Sequence, residues 1–156
     1  MQMEDDEYVS AEKALAELYE IAKTDRREVC PLSDLHIGAN CGGSDGFSGL
    51  TGNKMVGEFA EHLVKNGGTF TITEVTEMFG AEQILMNRAV NREIFQKIEK
   101  LITQQRDYIM RYGGTANGNP SYGNKQGDIT TIEDKSLGCV QKGGKCAVSD
   151  VVFYAD

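Results

Sequence analysis

The chain has 156 residues, 16 basic and 24 acidic side chains, a net charge of -8 and a sequence pI near 4.8. Its length suffices for one domain that folds without metal or disulfide staples, and an apolar fraction of 40% excludes a disordered or collagen-like chain. The acidic balance gives no basic footprint for nucleic acid, no apolar run approaches the roughly 18 residues of a membrane span, and the acidic stretch from Met1 to Tyr8 is no secretory signal. A cytoplasmic location is expected.

In chain order, Ser10 is positioned to cap a helix whose apolar side is Ala11, Ala14, Leu15, Leu18 and Ala22. Leu35, Ile37 and Ala39 alternate with polar or small residues as a short strand running into Cys41-Gly42-Gly43-Ser44-Asp45-Gly46. A second helix has the stripe Met55, Val56, Phe59, Ala60, Leu63 and Val64, and Asn66-Gly67-Gly68 ends it. Thr69 to Val75 reads as a strand, with Phe70, Ile72 and Glu74 sharing one face by parity. Helices follow over about Ala81 to Ala89 and from the Asn91 cap, the second turning Ile94, Phe95, Ile98, Leu101, Ile102, Tyr108 and Ile109 inward. Thr130 and Glu133 have capping-box spacing for a helix that stops at Gly143-Gly144, and Val151 to Ala155 reads as a strand buried on both faces. Strands alternating with helices predict an α/β fold with a mainly parallel sheet flanked by helices.

The composition is unusual in one respect, 18 Gly against 2 Pro. Nine glycines lie between Gly38 and Gly68 and eight between Gly113 and Gly144. Two Gly-rich loops around a nearly Gly-free stretch suggest two walls of one site, with flexible connection as the equal alternative. Ligands of parallel sheets bind beyond the carboxyl ends of strands, where Cys41 to Asp45, Glu74 to Glu77 and Asp156 fall. Glu74, sharing a face with Phe70 and Ile72, needs either a basic partner or a cation. Gly42-x-Ser44-x-Gly46 matches the serine-hydrolase elbow in letters, but more glycines follow where the elbow requires a helix, and no His lies beyond His62. No phosphate-loop pattern occurs, and the four cysteines lack ligand spacing, which reads as free thiols.

Four blocks carry a resemblance: Cys41-Gly-Gly-Ser-Asp-Gly-Phe-Ser-Gly-Leu-Thr-Gly-Asn53, Thr73-Glu-Val-Thr-Glu-Met-Phe-Gly-Ala-Glu82, Asn119-Pro-Ser-Tyr-Gly-Asn-Lys-Gln-Gly127 and Thr130-Thr-Ile-Glu-Asp-Lys-Ser-Leu-Gly138. In this order they resemble the sugar-acid dehydratases of the altronate and galactarate dehydratase family. That resemblance implies one α/β domain over residues 1–156 within a longer enzyme, whose small N-terminal SAF-type domain and further C-terminal chain lie outside it. It implies a hydro-lyase that removes water from altronate or galactarate to give a 2-keto-3-deoxy acid, with a divalent metal, Fe(II) or Mn(II). By the same resemblance Cys41 and Glu74 are metal ligands, Gly42, Gly43, Ser44 and Asn124 bind substrate, and Asp45, Glu77 and Lys125 move protons. Cys30, Cys139 and Cys146 are passive on this reading. The family commonly has Pro at the position of Lys54, Gly at Asp128 and, in many members, His at Gln83. The expected partner is a small-molecule sugar acid, with no nucleic acid, no membrane and a homo-oligomer left open. The alternatives are a noncatalytic structural fragment of such an enzyme and, third, a serine hydrolase using Ser44.

Overall fold

The computed structural model describes residues 6–152, which a division after Cys30 separates into two compact units. The first contains helix α1, Glu7–Ala22. It starts three residues before the expected cap, because the Asp6 carboxylate accepts the amides of Tyr8 (3.0 Å) and Val9 (3.2 Å). No residue of α1 is buried, and Leu15 and Leu18 on its apolar side are exposed.

The second unit runs β1 (His36–Ala39), α2 (Gly52–Lys65), β2 (Thr69–Ile72), α3 (Glu82–Met86), α4 (Arg92–Arg111), α5 (Tyr122–Gln126) and α6 (Ile132–Val140). The α/β class holds in its coarse form. Helices dominate, and among the described residues the sheet has two strands, β1 and β2, paired parallel with His36 opposite Thr69 and Ala39 opposite Ile72. An isolated parallel bridge joins Ala89 and Val148. The expected strand at 151–155 is not a strand at Val151 and Val152, and the remainder of it, with Asp156, lies outside the described residues.

β2 ends earlier than expected, with consequences for Glu74. Thr73 still reaches back to β1, its amide and hydroxyl both donating to the Ala39 carbonyl. Glu74 then turns left-handed, φ 63° and ψ 67°, and the chain enters a 3-10 turn over Val75–Met78. Strand parity therefore does not govern Glu74, which lies past the end of β2.

The core is where α3, α4 and α6 close over that turn: Met78, Phe79, Leu85, Ile94, Ile98, Ile102, Ile132 and Val140 form one buried cluster. The three isoleucines of α4 recur every four residues, and the Asn91 side chain caps the helix through the Ile94 amide at 2.9 Å. Tyr108 departs from the expected stripe: it is exposed and stacks on Tyr112 at 4.9 Å. α6 is capped by Thr131 rather than Thr130, its hydroxyl accepting the Asp134 amide at 3.1 Å, and a 3-10 turn, Gln141–Gly143, carries the chain on to Gly144. That turn packs on α2 so closely that a Cβ on Gly57 would clash with the Gln141 carbonyl, and one on Gly144 would meet the Gly57 carbonyl at 2.5 Å.

Candidate functional site

Parallel pairing puts the ends of β1 and β2 side by side, so the residues leaving both strands enter the same space. Cys41 and Glu74 meet there. The left-handed turn at Glu74 costs on the order of 1 kcal/mol for a residue with a Cβ, and it returns the carboxylate to β1, where Oε2 accepts the Cys41 amide at 2.6 Å. One turn later Glu77 points to the same place. Cys41 Sγ and one carboxylate oxygen each of Glu74 and Glu77 lie within 4.8 Å of one another. A single ion with bonds of about 2.0–2.3 Å spans such a set. One thiolate and two carboxylates suit a borderline divalent cation such as Fe(II), Mn(II) or Zn(II).

Glu77 is nine-tenths buried and needs a counter-charge. It comes from Lys135 on α6, whose Nζ lies 2.6 Å from Glu77 Oε1 with both side chains below 10% exposure. The same ammonium donates to Asn119 Oδ1 and Asn124 Oδ1, each at 2.9 Å, so three acceptors match its three protons. Asn124 in turn is fixed from both sides. Its Oδ1 accepts the amide and hydroxyl of Ser121 in a capping box at the start of α5, and its Nδ2 donates to the Ser44 carbonyl at 2.8 Å. The two Gly-rich segments are thereby joined. A second clasp follows at Gly46, whose amide donates to the Gly127 carbonyl at 2.6 Å.

The remaining expected residues fall in different settings. Ser44 stands beside the cluster, its Oγ 3.5 Å from Cys41 Sγ. Gly42, Gly43 and Ser44 line a cavity of about 540 Å³ together with Asn53 and Phe59. Asp45 is engaged in its own turn: its Oδ1 accepts the amides of Phe47 (3.0 Å) and Ser48 (2.9 Å) and the Ser48 hydroxyl. These bonds, the Ser48 hydroxyl foremost, hold the exposed carboxyl below its ordinary value. Lys125 is exposed on α5, beside the buried Asn124. Gln83 is exposed and donates to Asn87 at 2.7 Å. Both histidines, His36 and His62, are exposed, and α2 begins at Gly52, eight residues after Ser44, so the strand–nucleophile–helix elbow of a serine hydrolase is absent.

Lys135 was not legible as a site residue, although a cue existed: it stands three residues after Ile132 and four before Cys139, on the inward side of α6. Cys139 itself lies beside the cluster. Burial pushes its thiol up to about 12, the Glu77 and Glu74 carboxylates add to the rise, and Lys142 opposes it. Cys139 is therefore a neutral thiol, and all four cysteines are free of disulfides.

Comparison with known proteins identifies the family. The family described as D-galactarate/altronate dehydratase, C-terminal, matches residues 32–156. The chain is 51% identical to altronate dehydratase of Bacillus subtilis (strain 168) over 97% of its own length and 30% of that protein. It is 45% identical to altronate dehydratase of Escherichia coli (strain K12), over 99% of the chain and 31% of the relative. Identity to the galactarate dehydratase (L-threo-forming) of Escherichia coli (strain K12) is 34%, over 96% of the chain and 30% of the relative. The chain thus spans about a third of the length of these curated relatives. With the match covering most of its residues, the chain belongs to the D-galactarate/altronate dehydratase family.

Proposed function

We propose that this chain carries the metal-binding part of a sugar-acid dehydratase that eliminates water from altronate, or from galactarate, to give a 2-keto-3-deoxy acid. The observation that carries the reading is the convergence of Cys41, Glu74 and Glu77 at the carboxyl ends of two parallel strands, joined through Lys135 and Asn124 to the second Gly-rich loop. A divalent cation, Fe(II) or Mn(II), would be held by Cys41, Glu74 and Glu77 and would supply charge stabilisation next to the substrate carboxylate.

In such an elimination the proton on C2 passes to a base and its electron pair forms the C2–C3 double bond. The C3 hydroxyl leaves with a proton as water, and the resulting enol tautomerises to the 2-keto acid. The developing negative charge beside the carboxylate calls for fixed donors. Gly42, Gly43 and Ser44 line the cavity where such donors are needed. Glu77 acts here as a ligand rather than a proton carrier, since Lys135 occupies one of its oxygens. Asp45 acts as the holder of the 45–48 turn. Lys125, exposed on α5, is the remaining candidate for moving a proton.

The test is metal content and altronate dehydration measured together. Fe(II) or Mn(II) bound in stoichiometric amount and lost in Cys41→Ala and Glu74→Ala, with dehydration lost in parallel, supports the reading. Lys125→Met should then lower turnover while leaving the metal in place. A chain that binds no metal and gains no thermal stability from altronate is the noncatalytic scaffold instead.

A further inference from the structure

The second unit buries two lysines to nearly the same degree, Lys135 at 7% exposure and Lys142 at 6%. Their surroundings differ. Lys135 has three acceptors. Lys142, in the turn after α6, has no hydrogen bond and no ion pair among the described residues. The Lys142 residue is largely buried, yet its ammonium is not among the enclosed unpartnered atoms of the described residues, so the charge reaches the cavity that Lys142 lines, where an anion or water can meet it.

Lys142 lines the same cavity of about 540 Å³ as Gly42, Gly43 and Ser44, a volume within the range of small-molecule sites. The backbone amides of those three residues likewise find no acceptor among the described residues. A Cβ on Gly42 or Gly43 would meet nothing within 4 Å, so open space adjoins the loop. Ser44 connects the cavity to the metal-ligating cluster through its 3.5 Å approach to Cys41 Sγ. One ammonium and a run of unpaired amides, facing a cavity beside a candidate cation site, form the complement of a carboxylate.

We propose that Lys142, together with the Gly42–Ser44 amides, is the subsite that binds the carboxylate of a 2-hydroxy acid, resting on the sugar-acid reading for the identity of the rest of that ligand. Ser44, 3.5 Å from Cys41 Sγ, is the residue through which the bound acid would approach the Cys41, Glu74 and Glu77 cluster.

Calorimetric titration of the Mn(II)-loaded chain tests this, with D-altronate, galactarate, the neutral polyol altritol and glycolate as probes. Lys142→Met should weaken altronate binding about tenfold or more, the weight of a charge-assisted hydrogen bond. Lys142→Arg should restore most of it, and altritol and Mn(II) affinities should stay within about twofold of the wild type. Unchanged altronate affinity in Lys142→Met overturns the subsite, and so does a loss shared equally by altritol or Mn(II). A measurement on the unsubstituted chain guards against misfolding: saturating altronate should slow reductive methylation of Lys142 and not of the exposed Lys65, and equal rates with and without altronate count against the subsite. Glycolate separates the two readings. Lys142-dependent glycolate binding without altronate or galactarate binding keeps the subsite and removes the sugar acid, Lys142-independent altronate binding does the reverse, and an unsubstituted chain that binds none of these acids loses both.

Discussion

Two sets of glycines serve opposite purposes, one set around the strand-end loop and the other where the two Gly-rich segments pack. In the first, Gly38, Gly42, Gly43 and Gly52 border open space, where an added Cβ would touch nothing within 4 Å. In the second, glycine serves close approach: a Cβ on Gly57 would meet the Gln141 carbonyl, one on Gly127 would come within 3.0 Å of Asp45, Gly138 packs at 3.3 Å on Gly49, and Gly144 meets the backbone of α2. One wall is open at its backbone, and the other is pressed against it and pinned by Lys135 and Asn124. Close packing and paired polar groups fix the geometry of the second wall, and the backbone at Gly42 and Gly43 has no such constraint.

Removing the pin should have the largest effect. Lys135→Met leaves Glu77 buried without its counter-charge and strips two asparagines of a donor, for an expected loss of about 3–5 kcal/mol, read from the urea midpoint. If the loss is below about 1 kcal/mol, the second wall is not held as described. Gly57→Ala comes next. Its methyl would displace the Gln141 carbonyl and the turn that carries Lys142, and a cost of about 2–3 kcal/mol is expected by the same measurement.

The open wall predicts the contrary result. Gly42→Ala should change stability by no more than about 0.5 kcal/mol, since nothing lies within reach of the new methyl, while altronate affinity falls if the loop touches ligand. The smallest effect is local and pH-dependent. The Asp45 carboxyl is held below 3.8 by bonds present only in the folded turn. Its contribution is therefore complete above pH 3.8 and lost as the pH falls through the lowered value. The amide resonances of Phe47 and Ser48 should titrate with a midpoint below 3.8 and become pH-independent in Asp45→Asn.

The parts legible in the sequence were those written in local periodicity. The α4 stripe, the Asn91 cap, the β1–α2–β2 order and the meeting of strand ends follow from spacing and capping chemistry. Glu74 resisted because its conformation is set across the sheet, by the Cys41 amide it accepts, and no pattern along the chain announces a left-handed glutamate. α5 has five residues, too few for a periodic signal, and depends on the Ser121–Asn124 capping box and on Lys135. Lys135 and Lys142 resemble surface lysines in sequence. Their difference arises only when α6 docks and one ammonium meets three acceptors while the other meets a cavity. The apolar residues at 151 and 152 read as strand by composition, yet the described sheet has no pairing partner there.

The β1–β2 register acts as a ruler for insertions and deletions. Cys41 stands two residues past Ala39, and Glu74 two past Ile72, its register partner. Adding or removing one residue on either strand shifts one ligand by about 3.3 Å relative to the other, most of the 4.8 Å within which the three donors converge. Length variation should therefore be excluded from 36–41 and 69–77, so that the spacing of these two short stretches, more than their composition, marks a chain able to assemble this centre.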